Sequence, residues 1–131
     1  MTIQEFYLHA GGNYEEVMRR LSSEARIKKV LGMLSRDGSM QDLRAALEKK
    51  DYEGAFLAAH TLKGITMNLG ITHLAEAVSE LTETLRPCKG NETIPRQLAV
   101  VEQLYAQTIE DISRLMSDAA PAGGEDGGKT R

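Results

Sequence analysis

Ala58-Ala59-His60-Thr61-Leu62-Lys63-Gly64-Ile65-Thr66-Met67-Asn68-Leu69-Gly70 is the stretch from which the rest of this 131-residue chain is read. Wound at the α-helical repeat, it sets His60, Lys63 and Gly64 on one face, with Phe56 one turn before and Met67 one turn after. Ala55, Ala58, Leu62, Ile65 and Leu69 fall on the opposite face as an ordinary core stripe. The helix can pack through one side and present an imidazole, a cation and a gap on the other. The gap is informative, because glycine inside a helix costs roughly 1 kcal/mol relative to alanine and this helix holds two, Gly54 and Gly64. At Gly64, one turn after a solvent-facing histidine, a missing side chain lets a partner's backbone approach the ring. Lys63 stands where an ammonium offsets negative charge arriving on the imidazole. The set describes a histidine equipped to take an anion and hand it on.

The chain is one domain's worth, long enough to bury a core without disulfides or metal. Its hydrophobic content of 41%, with only 5% aromatic and no Trp, suits a helical interior of Leu, Ile, Val, Ala and Met. A formal charge of −3 gives no reason to expect nucleic acid or an anionic membrane surface as partner. Cys88 is a single cysteine, which leaves no intrachain disulfide to form and points to a reducing cytoplasm. No apolar run approaches the roughly 20 residues that cross a bilayer, and Met1-Thr2-Ile3-Gln4-Glu5 lacks the features of a signal peptide. A cytoplasmic location is expected. No His-x-x-x-His or Glu-x-x-His pattern occurs and no ligand set surrounds His9 or His73, so neither a metal nor a cofactor is expected.

Along the chain, Thr2 and Glu5 form a capping box for a short helix over 2–8 that Gly11-Gly12 ends. Asn13 caps a second, with Glu15 and Glu16 at its positive end. A third follows Ser22-Ser23, with Ile27, Val30, Leu31 and Leu34 as its apolar stripe. Asp37-Gly38 interrupts it, and Ser39 is read as the cap of a continuation carrying Leu43, Ala46 and Leu47; two helices or one kinked rod both fit. Asp51 caps the His60 helix, which should run to Leu69 before a left-handed Gly70. Thr72 is read as the next cap, ahead of Leu74, Val78, Leu81 and Leu85, with Pro87 as the stop. The short loop from Pro87 to Asn91 makes its flanking helices antiparallel neighbours. Ile94, Leu98, Val101, Tyr105, Thr108, Ile112 and Leu115 then alternate steps of four and three, the longest regular pattern in the chain. From Ala119 to Arg131 the glycine-rich composition predicts a flexible tail. The fold class is all-α: an antiparallel up-and-down four-helix bundle over 23–118, with accessory N-terminal helices over 1–22.

His60-Thr61-Leu62-Lys63-Gly64 followed by Leu69-Gly70 resembles the signature of the histidine-containing phosphotransfer (HPt) domain, whose members relay phosphoryl groups in two-component signalling. The resemblance runs from about Glu24 to Ser117 and implies the same helical architecture. It implies that His60 is phosphorylated, that Lys63 steadies the phosphate, and that Gly64 gives a partner clearance. The implied partners are receiver domains of response regulators or hybrid kinases, met by a monomer. A phosphoryl acceptor needs a neutral ring nitrogen, which an exposed histidine offers at cytoplasmic pH. It needs no base of its own, because the partner supplies the metal ion and the acyl phosphate. No glycine-rich phosphate loop of the P-loop type occurs, so a carrier and not an enzyme is expected.

Phe56, Leu57 and Met67 are either the edge of the core or an apolar docking patch around His60. The basic pairs Arg19-Arg20 and Lys28-Lys29 are solvated surface or an aid to steering toward an acidic receiver pocket. Many HPt domains orient the second imidazole nitrogen with Gln or Glu from the following helix. Here the matching region offers Ser79, Thr82 and Glu83 within one turn of each other, and the sequence does not choose among them. Two other classes stay in view: a helical adaptor that binds signalling partners without phosphoryl traffic, and a bundle that holds a small molecule or metal.

Overall fold

The computed structural model describes residues 1–118, with side chains as far as Ser117, and the tail expected from Ala119 onward lies outside them. Among these residues there are helices and no strands: α1 (Ile3–Ala10), α2 (Tyr14–Leu21), α3 (Glu24–Arg36), α4 (Ser39–Glu48), α5 (Tyr52–Asn68), α6 (Thr72–Leu85) and α7 (Ile94–Asp118). None is long and apolar enough to cross a membrane.

Three of the expected caps, Thr2, Asn13 and Asp51, form as read, and Ser23 caps α3. The Glu5 amide donates to Thr2 Oγ1 at 3.0 Å and the Thr2 amide to Glu5 Oε1 at 2.8 Å, closing the capping box. Asn13, Ser23 and Asp51 accept from the amides of Glu16, Arg26 and Gly54. Two expectations are corrected. Ser39 is the first residue of α4 and not its cap; Gly38 holds the cap position with no side-chain cap bond, and the Ser39 amide donates to Asp37 Oδ2 at 2.8 Å. Thr72 likewise begins α6, and Ile71 holds the cap position with no side-chain bond. Ile71 is buried, which brings the chain into the helix immediately after the Gly70 turn. Helices α3 and α4 are two elements, separated at Asp37-Gly38.

The buried stripe of α5 is Ala55, Ala59, Leu62, Thr66 and Leu69, a rotation from the expected one. Ala58 and Ile65 flank it, partly buried against the core. Apolar patterning passes over Thr66, yet its hydroxyl donates to the Leu62 carbonyl at 2.9 Å and is satisfied inside its own helix. The stripe packs on α4 on one side and α6 on the other. The termini of these helices meet in reverse order. Arg44 reaches Glu102 at 2.8 Å while Leu47 lines one groove with Ile94 and Leu98, so α4 and α7 run antiparallel. Ile71 and His73 face Gln107 and Asp111 while Glu80 faces Gln97, so α6 and α7 do the same.

The N-terminal helices share this core instead of lying outside it, since Ile3, Phe6, Tyr7 and Val17 are buried with the side chains of α3–α7. Gly70 adopts the expected left-handed conformation, φ 71°. An added Cβ there would come 2.7 Å from Val17 Cγ2, so the α5–α6 turn nests against α2. The Tyr7 hydroxyl donates to the Leu69 carbonyl at 2.7 Å, satisfying an acceptor that the helix end leaves open. On α7, Asp111 is buried, accepts from Gln107 Nε2 at 3.1 Å, and lies 3.3 Å from His9 Nδ1 on α1.

Tyr7→Phe should lower stability by about 1 kcal/mol, read from the urea midpoint. Burial pushes the Tyr7 phenol from its ordinary 10 up to about 12. The folded chain keeps that proton where the unfolded chain loses it, so this contribution is whole below pH 10 and falls as pH rises toward 12. The stability gap between wild type and Tyr7→Phe should therefore shrink over that interval.

Candidate functional site

Helix α5 positions His60 near its middle, with Ala59 and Leu62 anchoring the buried side and His60 itself exposed. Lys63 is half-buried and Gly64 exposed on the same side. A Cβ added at Gly64 meets no heavy atom within 4 Å outside the local helix backbone, so nothing inside the protein requires a glycine there. At Gly54 the reason is internal: a Cβ would collide with the Asp51 carboxylate, which is the cap of α5.

The ring of Phe56 stacks on the His60 imidazole, with centroids 5.9 Å apart and planes inclined by 27°. From the C-cap of α6 the guanidinium of Arg86 lies 5.1 Å from the centre of the same Phe56 ring. Glu83 holds that guanidinium through two hydrogen bonds, Nε to Oε1 at 3.0 Å and Nη2 to Oε2 at 2.8 Å. The Arg86 bonds hold the Glu83 carboxyl below its usual range, and the Lys63 ammonium acts in the same direction, as does the nearby His60 ring. His60, Lys63, Glu83 and Arg86 thus share one electrostatic neighbourhood.

The three residues considered for orienting His60 separate. Thr82 is fully buried and its hydroxyl donates to the Val78 carbonyl at 2.7 Å, which removes it from the set. Ser79 stands two helical turns before Arg86, about 10 Å along the axis. It lines a groove of about 290 Å³ with Met67, Gly70 and Ala75. The Glu83 carboxyl lies close enough to His60 to feel it electrostatically, and its oxygens are engaged by Arg86. Among the described residues, no group donates to or accepts from the His60 ring. Arg86 is the site residue that sequence reasoning missed. The available signal was its i,i+3 spacing from Glu83; its approach to Phe56 depends on how α6 lies along α5.

Leu57 and Met67 are exposed by 59% and 56%, large apolar side chains on either side of His60 in the helix. Phe56 is partly buried against the core and engaged by both His60 and Arg86. Cys88 is exposed in the loop after α6. Among the described residues, no group of three or more His, Cys, Asp or Glu side chains gathers in a way that could hold a metal ion.

Comparison with known families returns one described as the Hpt domain, matched over residues 35–118. The match begins in the last turn of α3 and includes all of α4–α7. No curated protein and no solved structure matches the chain.

The two glycines of α5 should respond differently to alanine. Gly64→Ala should raise stability by up to about 1 kcal/mol, the helix-propensity difference, because the added methyl has open space. At Gly54 the same gain is offset by loss of the Asp51 cap, about 1 kcal/mol, leaving little net change. Urea midpoints of the two variants measure the contrast.

Proposed function

Since the chain belongs to the Hpt domain family of phosphorelay proteins, we propose that it is a phosphoryl carrier whose His60 accepts the group from, or returns it to, a receiver-domain aspartate. The observation that carries this reading is an exposed imidazole with no hydrogen-bond partner among the described residues, next to a lysine and a glycine that internal packing does not require. Helices α4–α7 serve as the antiparallel up-and-down four-helix bundle that holds it.

In the transfer, the lone pair of the distal ring nitrogen forms the N–P bond while the P–O bond to the aspartate breaks. The bonding pair leaves with the carboxylate, and the imidazole's own proton stays on its other nitrogen. The reverse step exchanges the same bonds. Lys63 offsets the charge of the phosphoryl oxygens. Gly64 lets the receiver approach closely enough for in-line geometry. Leu57 and Met67 supply an apolar docking surface, whose methionine adapts to more than one receiver. The receiver brings the metal ion, so the carrier needs neither nucleotide nor cofactor, and it works as a cytoplasmic monomer.

Incubation with a phosphorylated receiver domain should place acid-labile, alkali-stable phosphate on wild type and none on His60→Gln, with the helical circular dichroism of the variant unchanged. Label persisting on His60→Gln would refute the site. A receiver that binds wild type and His60→Ala alike, without label on either, would favour an adaptor.

A further inference from the structure

A phosphoryl acceptor must present one ring nitrogen in line with the bond that breaks, and misplacement is costly in rate. An exposed histidine turns about two side-chain torsions, and a hydrogen bond from a neighbour usually restricts them. Among the described residues His60 has no such bond, and what lies against its ring is Phe56, at 5.9 Å and 27°.

Phe56 in turn is held from two sides. It packs at the margin of the core, which limits its own rotation. The Arg86 guanidinium lies 5.1 Å from its centre, a cation–π distance, and the two Glu83 hydrogen bonds fix that guanidinium. A continuous line of contact leads from α6 through Arg86 and Phe56 to the imidazole on α5. Neutralisation of Arg86 by Glu83 also lets the stack form without adding a second unpaired cation beside Lys63.

We propose that Phe56, braced by the Glu83–Arg86 pair, is the positioning residue for the His60 ring, setting its plane by stacking instead of by a hydrogen bond to the second nitrogen. The proposal rests on the phosphoryl-carrier reading of His60 for its consequence in rate. The orientation itself is independent of that reading. Glu83 acts in this arrangement through Arg86 and not by contacting the imidazole.

Two measurements test it. In single-turnover transfer from a phosphorylated receiver, Phe56→Leu should lower the rate at saturating receiver roughly tenfold and leave the half-saturating concentration little changed. Phe56→Tyr, which keeps the ring, should restore it, and Arg86→Gln should give a loss between the two. A simple docking role would instead raise the half-saturating concentration and leave the saturating rate intact, which would overturn the proposal. The second measurement is the NMR spectrum of the His60 imidazole in the unphosphorylated protein. Its carbon-bound protons should carry an upfield ring-current shift in wild type and Phe56→Tyr that disappears in Phe56→Leu. Unchanged His60 resonances in folded Phe56→Leu would refute the positioning whether or not transfer occurs. If no receiver labels wild type while the ring-current shift behaves as expected, the carrier reading fails and the stack stands.

Discussion

The burial of one narrow stripe of α5 is the constraint on which the rest of the molecule depends. Ala55, Ala59, Leu62, Thr66 and Leu69 repeat in steps of four and three and face the core, and this leaves the opposite side of the same helix to solvent. Two alanines in the stripe let neighbouring helices come close, and the polar member is buried without penalty because its hydroxyl bonds back to Leu62. The rotation of α5 that results is what exposes His60 and Gly64. A small further turn about the axis would draw the histidine toward α4 or α6.

The far end of that helix is secured by contacts distant in sequence. Gly70 reverses the chain in the left-handed region, with Val17 packed where a side chain would be. Tyr7 donates to the C-terminal end of α5 through the buried Leu69 carbonyl. The His9 and Asp111 contact ties α1 to α7 from the other side. The N-terminal helices therefore belong mechanically to the element that presents the histidine, although the family match begins only at residue 35.

Around the imidazole, charge is arranged in balance. Lys63 lies on the helix of His60, while the Glu83–Arg86 pair comes from α6 and is neutral as a unit. The outward side of α5 thus presents Lys63 beside an ion pair that is neutral as a unit and the ring of Phe56.

The helices and several of their caps were legible in the sequence, because a cap such as Thr2, Asn13 or Asp51 acts on an amide three residues away and periodicity is a property of adjacent turns. The identity of the candidate site was legible for the same reason: His60, Lys63 and Gly64 lie within two turns of one helix. The starts of α4 and α6 were misread where the preceding residue, Gly38 or the buried Ile71, holds the cap position without a side-chain bond. Thr66 and Asp111 escaped the pattern because a polar residue enters the core only when partners satisfy it, and those partners are not encoded in its own type. What the sequence by itself determined is that one helix holds His60, Lys63 and Gly64 on a side away from its apolar stripe. Only the tertiary structure decided what surrounds the histidine. Whether Arg86 reaches Phe56, or Thr82 turns away, depends on the offset and rotation of α6 against α5, and that is set by the packing of the whole core.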